Sequence, residues 1–186
     1  MLRAVRNLEA AFLVGVDGAG EIWLVRHADA YDGGEDEPDP GLSAIGREQA
    51  SRLAERLRRR PPVAIYSSPA RRALETARAI GSEPRVDGRL TEMTFEIEDG
   101  AFKFIETPDE VITRMSAAID EICTAHPGQH VVVVTHAGAI TGYLCHVMQL
   151  EPGQLRLLVH FTSVSVVRAL GDRRMVGALN DTAHLE

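Results

Sequence analysis

Val131-Val132-Val133-Val134-Thr135-His136 is the stretch whose reading decides the fold. A continuous apolar run of this length reads as a strand covered on both faces, as in a parallel sheet packed between two layers. The flanking segments fit such layers. Upstream, Thr107-Pro108-Asp109-Glu110 forms a capping box with proline in its favoured place. The helix it opens presents Val111, Met115, Ile119 and Ile122 as one stripe and stops before Pro127-Gly128. Downstream, a helix runs from about Ala139 to Met148.

The same alternation extends toward the N-terminus. Val63 to Tyr66 reads as a strand, followed by a helix to Ile80 with Ser68 as its cap, Pro69 at its first position and Gly81 at its end. Before it, Ser43 caps a helix whose stripe is Ile45, Gln49, Leu53 and Leu57, with Ala50 and Ala54 beside them; Pro61-Pro62 stops it. Asp32 to Gly41 holds three glycines, two prolines and five acids, and reads as a solvated loop. Phe12 to Val16 and Ile22 to Val25, on either side of Asp17-Gly18-Ala19-Gly20, read as a hairpin whose second strand runs into Arg26-His27. At the C-terminus, Val164, Val166 and Ala169 alternate with Ser163, Ser165 and Arg168, and a turn at Gly171-Asp172 leads to Met175 to Leu179, a terminal hairpin. Strands alternating with helices predict a three-layer α/β/α sandwich with a mainly parallel central sheet. Residues 1–186 read as a single domain, with 1–20 as an N-terminal extension or hairpin strand.

Composition narrows the function. Hydrophobic residues make up 45% of the 186, enough for a full core. The formal net charge of −7 argues against general attraction to nucleic acid or anionic membrane. Any anion site must then be a local cluster of positive charge. Lys103 is the single lysine among many arginines, which reads as a compositional bias toward arginine. Cys123 and Cys145 stand apart from any CxxC pattern and read as buried thiols of a reducing compartment. No apolar run approaches the ~20 residues that span a bilayer. The short stretch Ala10 to Val16 after Arg3 and Arg6 only weakly resembles a signal peptide, being preceded by Glu9 and closed by Asp17. A cytoplasmic enzyme is the expectation.

In a parallel sheet, ligands bind beyond the carboxyl ends of the strands. His27 follows one strand there and His136 another, Arg26 adjoins the first, and Arg72 falls in the first turn of a helix after a third. Two arginines, two histidines and helix amides at one sheet edge describe an oxyanion pocket. Arginine's planar fork matches phosphate oxygens bidentately. His126 and His130 are separated by Pro127-Gly128, which excludes a helical zinc pair.

At this point the chain resembles the histidine phosphatase superfamily, which includes the cofactor-dependent phosphoglycerate mutases. Leu24-Val25-Arg26-His27-Ala28-Asp29-Ala30 is similar to its RHG signature. Leu42-Ser43 with Gly46 and Gln49-Ala50, Ser67-Ser68 with Arg72-Ala73 and Thr76-Ala77, and Leu90-Thr91-Glu92 with Phe95 and Asp99-Gly100 follow in the family's order. Val134-Thr135-His136-Ala137-Gly138 and Leu179-Asn180 complete the pattern. The resemblance implies a phosphoglycerate mutase-like fold and a phosphoester hydrolase, a phosphomonoesterase of the histidine acid phosphatase type. It implies His27 as the nucleophile that becomes phosphohistidine. Arg26, Arg72 and His136 would hold the phosphoryl oxygens, with His136 also catalytic. Glu92 would be general acid and then base. No metal and no cofactor are implied, because arginines can supply the charge that stabilises the transferring group. The expected partner is a small phosphorylated metabolite or phosphoprotein, with no nucleic acid and no membrane.

Three positions depart from the family pattern. Ala28 replaces a glycine, which matters only if the backbone there needs a positive φ. Glu96 replaces another glycine and Glu98 an aromatic residue, which would bring negative charge, with Asp99, toward the mouth of the site. Two other functions compete with hydrolysis. A mutase needs covering insertions, yet only about fifteen residues separate Glu92 from Thr107. A phosphate-binding regulatory module with weak catalysis is the third possibility, motivated by Glu96.

Overall fold

The structure is a computed structural model that describes residues 2–31, 37–81, 83–98 and 101–186. Its main sheet contains β1 (Gly20–Arg26), β2 (Ala64–Ser67), β3 (Arg85–Val86), β6 (His130–Thr135), β7 (Val164–Leu170) and β8 (Arg173–Asp181), in the order β3-β2-β6-β1-β7-β8. β4 (Phe95–Glu98) and β5 (Ala101–Phe104) form a separate antiparallel pair. The helices are α1 (Leu2–Ala11), α2 (Ala44–Arg58), α3 (Arg71–Ile80), α4 (Pro108–Ala125) and α5 (Ala137–Val147). β3, β2, β6 and β1 run parallel, and β7 and β8 add an antiparallel end.

β6 explains the valine run. All six of its residues are buried. Side chains alternate across a strand, so Val131 and Val133 pack with Met115, Ile119, Ile140 and Leu144 of α4 and α5. Val132 and Val134 pack with Leu53 and Leu57 of α2 and Ala73 and Ala77 of α3. The sandwich therefore has α2 and α3 on one side and α4 and α5 on the other. The Thr107 capping box forms in full, and Val111, Met115, Ile119 and Ile122 are all buried.

Three local readings are corrected. Phe12 to Val16 is not a strand: α1 ends at Ala11 and turns follow, with Leu13 at φ 59°. β1 pairs with β6 on one edge and β7 on the other, so it has no edge free for an N-terminal hairpin partner. Ser68 does not cap α3, whose cap position is Ala70 without a side-chain bond. On α2 the Ser43 cap forms, but Ile45 is exposed and Gly46 takes the inward position. A Cβ at Gly46 would run into the Asp29 carbonyl, so only glycine lets α2 approach the loop after His27. Within the acidic loop read from Asp32 to Gly41, residues 32–36 lie outside the described residues, as do Asp99 and Gly100.

Candidate active site

Strand order places the two histidines together. β1 and β6 are neighbours with Arg26 opposite Thr135, so the next residues, His27 and His136, emerge side by side at the carboxyl edge. The register is continued by His27 N–H donating to Thr135 O at 2.9 Å. Their rings meet edge to face with centroids 5.1 Å apart. On the other side of β6, Ser68 N–H donates to Val134 O at 3.0 Å, which brings the end of β2 and the start of α3 to the same edge.

The hydrogen bonds define the tautomers. His27 Nδ1 lies 2.8 Å from Ala28 O, an acceptor only, so Nδ1 carries the proton. His27 Nε2 is then a lone pair, and it accepts from Arg72 Nε at 3.2 Å. His136 Nε2 donates to Ser68 Oγ at 2.8 Å, and its Nδ1 accepts from Arg72 Nη2 at 3.3 Å. Ser68 thus orients His136, while the cap position of α3 falls to Ala70. Burial, with Arg72 and Arg26 close by, lowers His27 to about 4. Burial, the neighbouring His27 and Arg72 lower His136 to about 2. Both imidazoles are neutral at pH 7.

Arg26 is held from the far side. Its Nη1 donates to Val159 O at 2.6 Å, and its guanidinium carbon lies 3.8 Å from the centroid of the Phe161 ring. Its buried Nε has no partner among the described residues. A desolvated donor left unpaired is costly, and an incoming acceptor relieves it. Asn180 supports this arrangement: its side chain accepts from His160 N–H and donates to Leu158 O, on either side of Val159.

Glu92 sits against the start of α5. Its Oε1 accepts from Met93 N–H at 2.8 Å and Ala139 N–H at 3.1 Å, and its Oε2 from Gly138 N–H at 3.3 Å. A Cβ on Gly138 would lie 2.6 Å from Glu92 Oε1, so this glycine makes room for the carboxylate. Arg114 clamps the loop beneath, donating to Arg89 O, Thr91 O and Glu92 O.

The remaining motif residues hold the loop after His27. Ala28 N–H donates to Thr76 Oγ1 at 3.0 Å, and Thr76 donates to Arg72 O at 2.7 Å. Asp29 N–H donates to Gln49 Oε1 at 2.9 Å, and Ser43 Oγ donates to Asp29 Oδ2 at 2.7 Å. Asp29 is therefore committed to the start of α2. Ala28 is fully buried and is not among the positive-φ residues, so alanine fits where glycine was expected.

An open cavity of about 390 Å³ has Ser68, Arg72, His136, Thr91, Glu92 and Asp39 in its wall. Arg72 is shared between the cavity and His27. Neither Glu96 nor Glu98 is among the described residues that line it; Glu98 pairs instead with Lys103 at 2.9 Å. Two of the amides at the entry to α3 are also taken. Arg71 N–H donates to both oxygens of Asp39 at 3.0 Å, and Ala70 N–H to Ser68 Oγ at 3.3 Å. Sequence reasoning missed Asp39, Phe161, Val159 and Arg114. Only Asp39 carried a signal, lying between Pro38 and Pro40 just before the Leu42-Ser43 motif. Among the described residues, no group of three or more His, Cys, Asp or Glu is placed to hold a metal ion, and no helix is long and apolar enough to cross a membrane.

Two histidines and two arginines gathered at the carboxyl edge of the parallel strands of an α/β sandwich are a set of groups that could hold an oxyanion. The model of the histidine phosphatase superfamily (branch 1) matches residues 22–103 and 96–182, and the chain belongs to this family. The chain is 28% identical to phosphoglycerate mutase-like protein 4 of Arabidopsis thaliana, over 89% of this chain and 87% of that one. It is 27% identical to a metal-independent phosphoserine phosphatase of the same plant, over 89% and 83%. A phosphoserine phosphatase from Entamoeba histolytica, solved with 3-phosphoglyceric acid, shares the fold with a TM-score of 0.77 at 20% identity, covering 90% of this chain and all of that one.

Proposed function

We propose that this chain is a metal-independent phosphomonoesterase that carries the phosphoryl group on Nε2 of His27. The observation that supports it most is Arg72 donating to both imidazoles, at 3.2 and 3.3 Å, beside a buried Arg26 Nε without a partner among the described residues. A phosphoryl oxygen can replace His27 Nε2 as the acceptor of Arg72 Nε, which frees the Nε2 lone pair to attack phosphorus. Arg26 and Arg72 then stabilise the charge on the transferring group. His136 completes the pocket, since a bound dianion offsets the burial that keeps it neutral and lets Nδ1 donate. As the ester P–O bond breaks, the leaving alkoxide takes the proton of Glu92 in its carboxylic acid form, and the carboxylate that results accepts from Met93, Gly138 and Ala139 N–H. Glu92 then removes a proton from water, whose oxygen attacks the phosphohistidine, and inorganic phosphate leaves with His27 restored.

A relative named as a phosphoserine phosphatase supports a small phosphomonoester as the substrate class. Hydrolysis is favoured over mutase chemistry because the segment after Glu92 adds no cover to the site among the described residues. Between Glu92 and Thr107 lies the β4–β5 hairpin, and none of its described residues lines the cavity. Residues 1–186 act in this reading as one catalytic domain. The purified protein is expected to hydrolyse p-nitrophenyl phosphate at an undiminished rate in EDTA. Loss of turnover that zinc or magnesium restores would overturn the mechanism.

Glu92→Gln is expected to separate substrates by leaving group. An alkyl phosphate needs the proton, so its kcat should fall about 10²- to 10⁴-fold. Nitrophenolate leaves without help, so p-nitrophenyl phosphate should lose less than about 10-fold. Equal losses on both would move the acid elsewhere. Asp29 is bound to Ser43 Oγ and is not free to act as the acid; Asp39 is the other acid among the described residues of the cavity wall.

A further inference from the structure

We propose that Asp39 sets the charge preference of this site, selecting phosphomonoesters whose remainder is neutral or cationic over those that carry a second anion. The proposal rests on the phosphatase reading and goes beyond it by naming the residue that discriminates.

Position is the first argument. Asp39 shares the cavity with Arg72, His136 and Glu92, and its side chain is 54% exposed. A phosphoryl group held by Arg72 would bring the rest of its substrate close to this carboxylate, 3.5 Å from Arg72 Nη1. The second argument is rigidity. Both Asp39 oxygens accept from Arg71 N–H at the start of α3, Pro38 and Pro40 flank it, and the neighbouring Glu37 pairs with Arg71 at 2.9 Å. A carboxylate fixed in this way cannot swing away when a like charge approaches.

Charge balance is the third. Asp39 Oδ1 lies 3.5 Å from Arg72 Nη1, so in the free protein the arginine partly compensates it. Once a phosphoryl dianion engages Arg72, that compensation is divided between two anions. Asp39 then presents net negative charge to the rest of the substrate, with Glu92 also in the wall. A carboxylate or second phosphate on the substrate is repelled, and an ammonium group is attracted. Glu98 is instead neutralised by Lys103 in the β4–β5 hairpin, and Glu96 stands opposite the same lysine in register.

The test compares kcat/KM for O-phosphoethanolamine and 3-phosphoglycerate in the wild-type protein, Asp39→Asn and Glu96→Gln. Asparagine keeps an acceptor for Arg71 N–H and removes the charge. The ratio of the two specificity constants is expected to shift toward 3-phosphoglycerate by about 5- to 10-fold in Asp39→Asn and to stay at the wild-type value in Glu96→Gln. The shift should shrink at 1 M salt, where the screening length is about 3 Å. If Asp39→Asn fails to fold, Asp39→Ser repeats the measurement with a different capping side chain. An unchanged ratio with both constants altered alike would make Asp39 only a support for Arg72 and would overturn the proposal. An equal shift in Glu96→Gln would overturn it too. A wild-type protein that turns over p-nitrophenyl phosphate but shows no bias isolates the failure to this inference. A wild-type protein inert toward all three substrates would bring down the phosphatase reading and this proposal together.

Discussion

His27→Ala is expected to lose on the order of 10⁴-fold or more in kcat toward p-nitrophenyl phosphate, the scale on which removing a nucleophile acts. No other described side chain offers a neutral ring nitrogen to the same donor except His136, whose Nδ1 also faces Arg72. His136 is lowered further than His27 and its ring is tied to Ser68, so it is a poor substitute. The substitution also has a structural effect. His27 is only 4% exposed, not at an open strand end, and its Nδ1 proton satisfies Ala28 O. Removing the ring leaves that carbonyl and Arg72 Nε short of a partner, and should cost on the order of 1–3 kcal/mol of stability. Thermal unfolding by circular dichroism should therefore show a lower Tm with one cooperative transition at assay temperature still on the folded side. Turnover within 10-fold of wild type in the folded variant would sink the phosphohistidine mechanism.

Arg72→Ala is expected to reduce kcat/KM by about 10²- to 10³-fold, the range for losing one preorganised donor to a developing oxyanion. Arg72 bonds both imidazoles in the free protein, so its loss also unties the two rings from each other. Arg72→Lys is the informative companion. Lysine keeps the charge but is a single point donor on a flexible stem, so it cannot reach His27, His136 and a phosphoryl oxygen as a planar fork does. It should recover less than about a tenth of the lost activity. Inhibition by inorganic phosphate should weaken in parallel in both variants. Full activity in Arg72→Lys would show that charge alone matters and that the shared geometry is dispensable.

Much of the molecule was legible from residue order because the responsible forces are local or periodic. Four valines in a row specify a strand buried on both faces, and β6 is the centre of the sheet. The Thr107 capping box and the stripe from Val111 to Ile122 need only the 3.6-residue period and one turn of backbone. His27 and His136 could be assigned to one edge because parallel strands align their carboxyl ends. What failed depended on neighbours distant in sequence. Phe12 to Val16 has the composition of a strand, but both edges of β1 were already taken. Ser68 has the chemistry of a cap, but α3 starts at Arg71, and the Ser68 hydroxyl bonds Ala70 N–H ahead of the helix and His136, brought alongside by β6. Glu96 and Glu98 have the charge to guard the site, but the hairpin they form sets Glu98 on Lys103, while Asp39 occupies the cavity wall. Residue order determined which groups could meet an anion; only the tertiary structure decided which of them are left open to one, because a hydrogen-bonding group satisfied by one partner is withdrawn from the others, and that competition is settled by the packing of the whole chain.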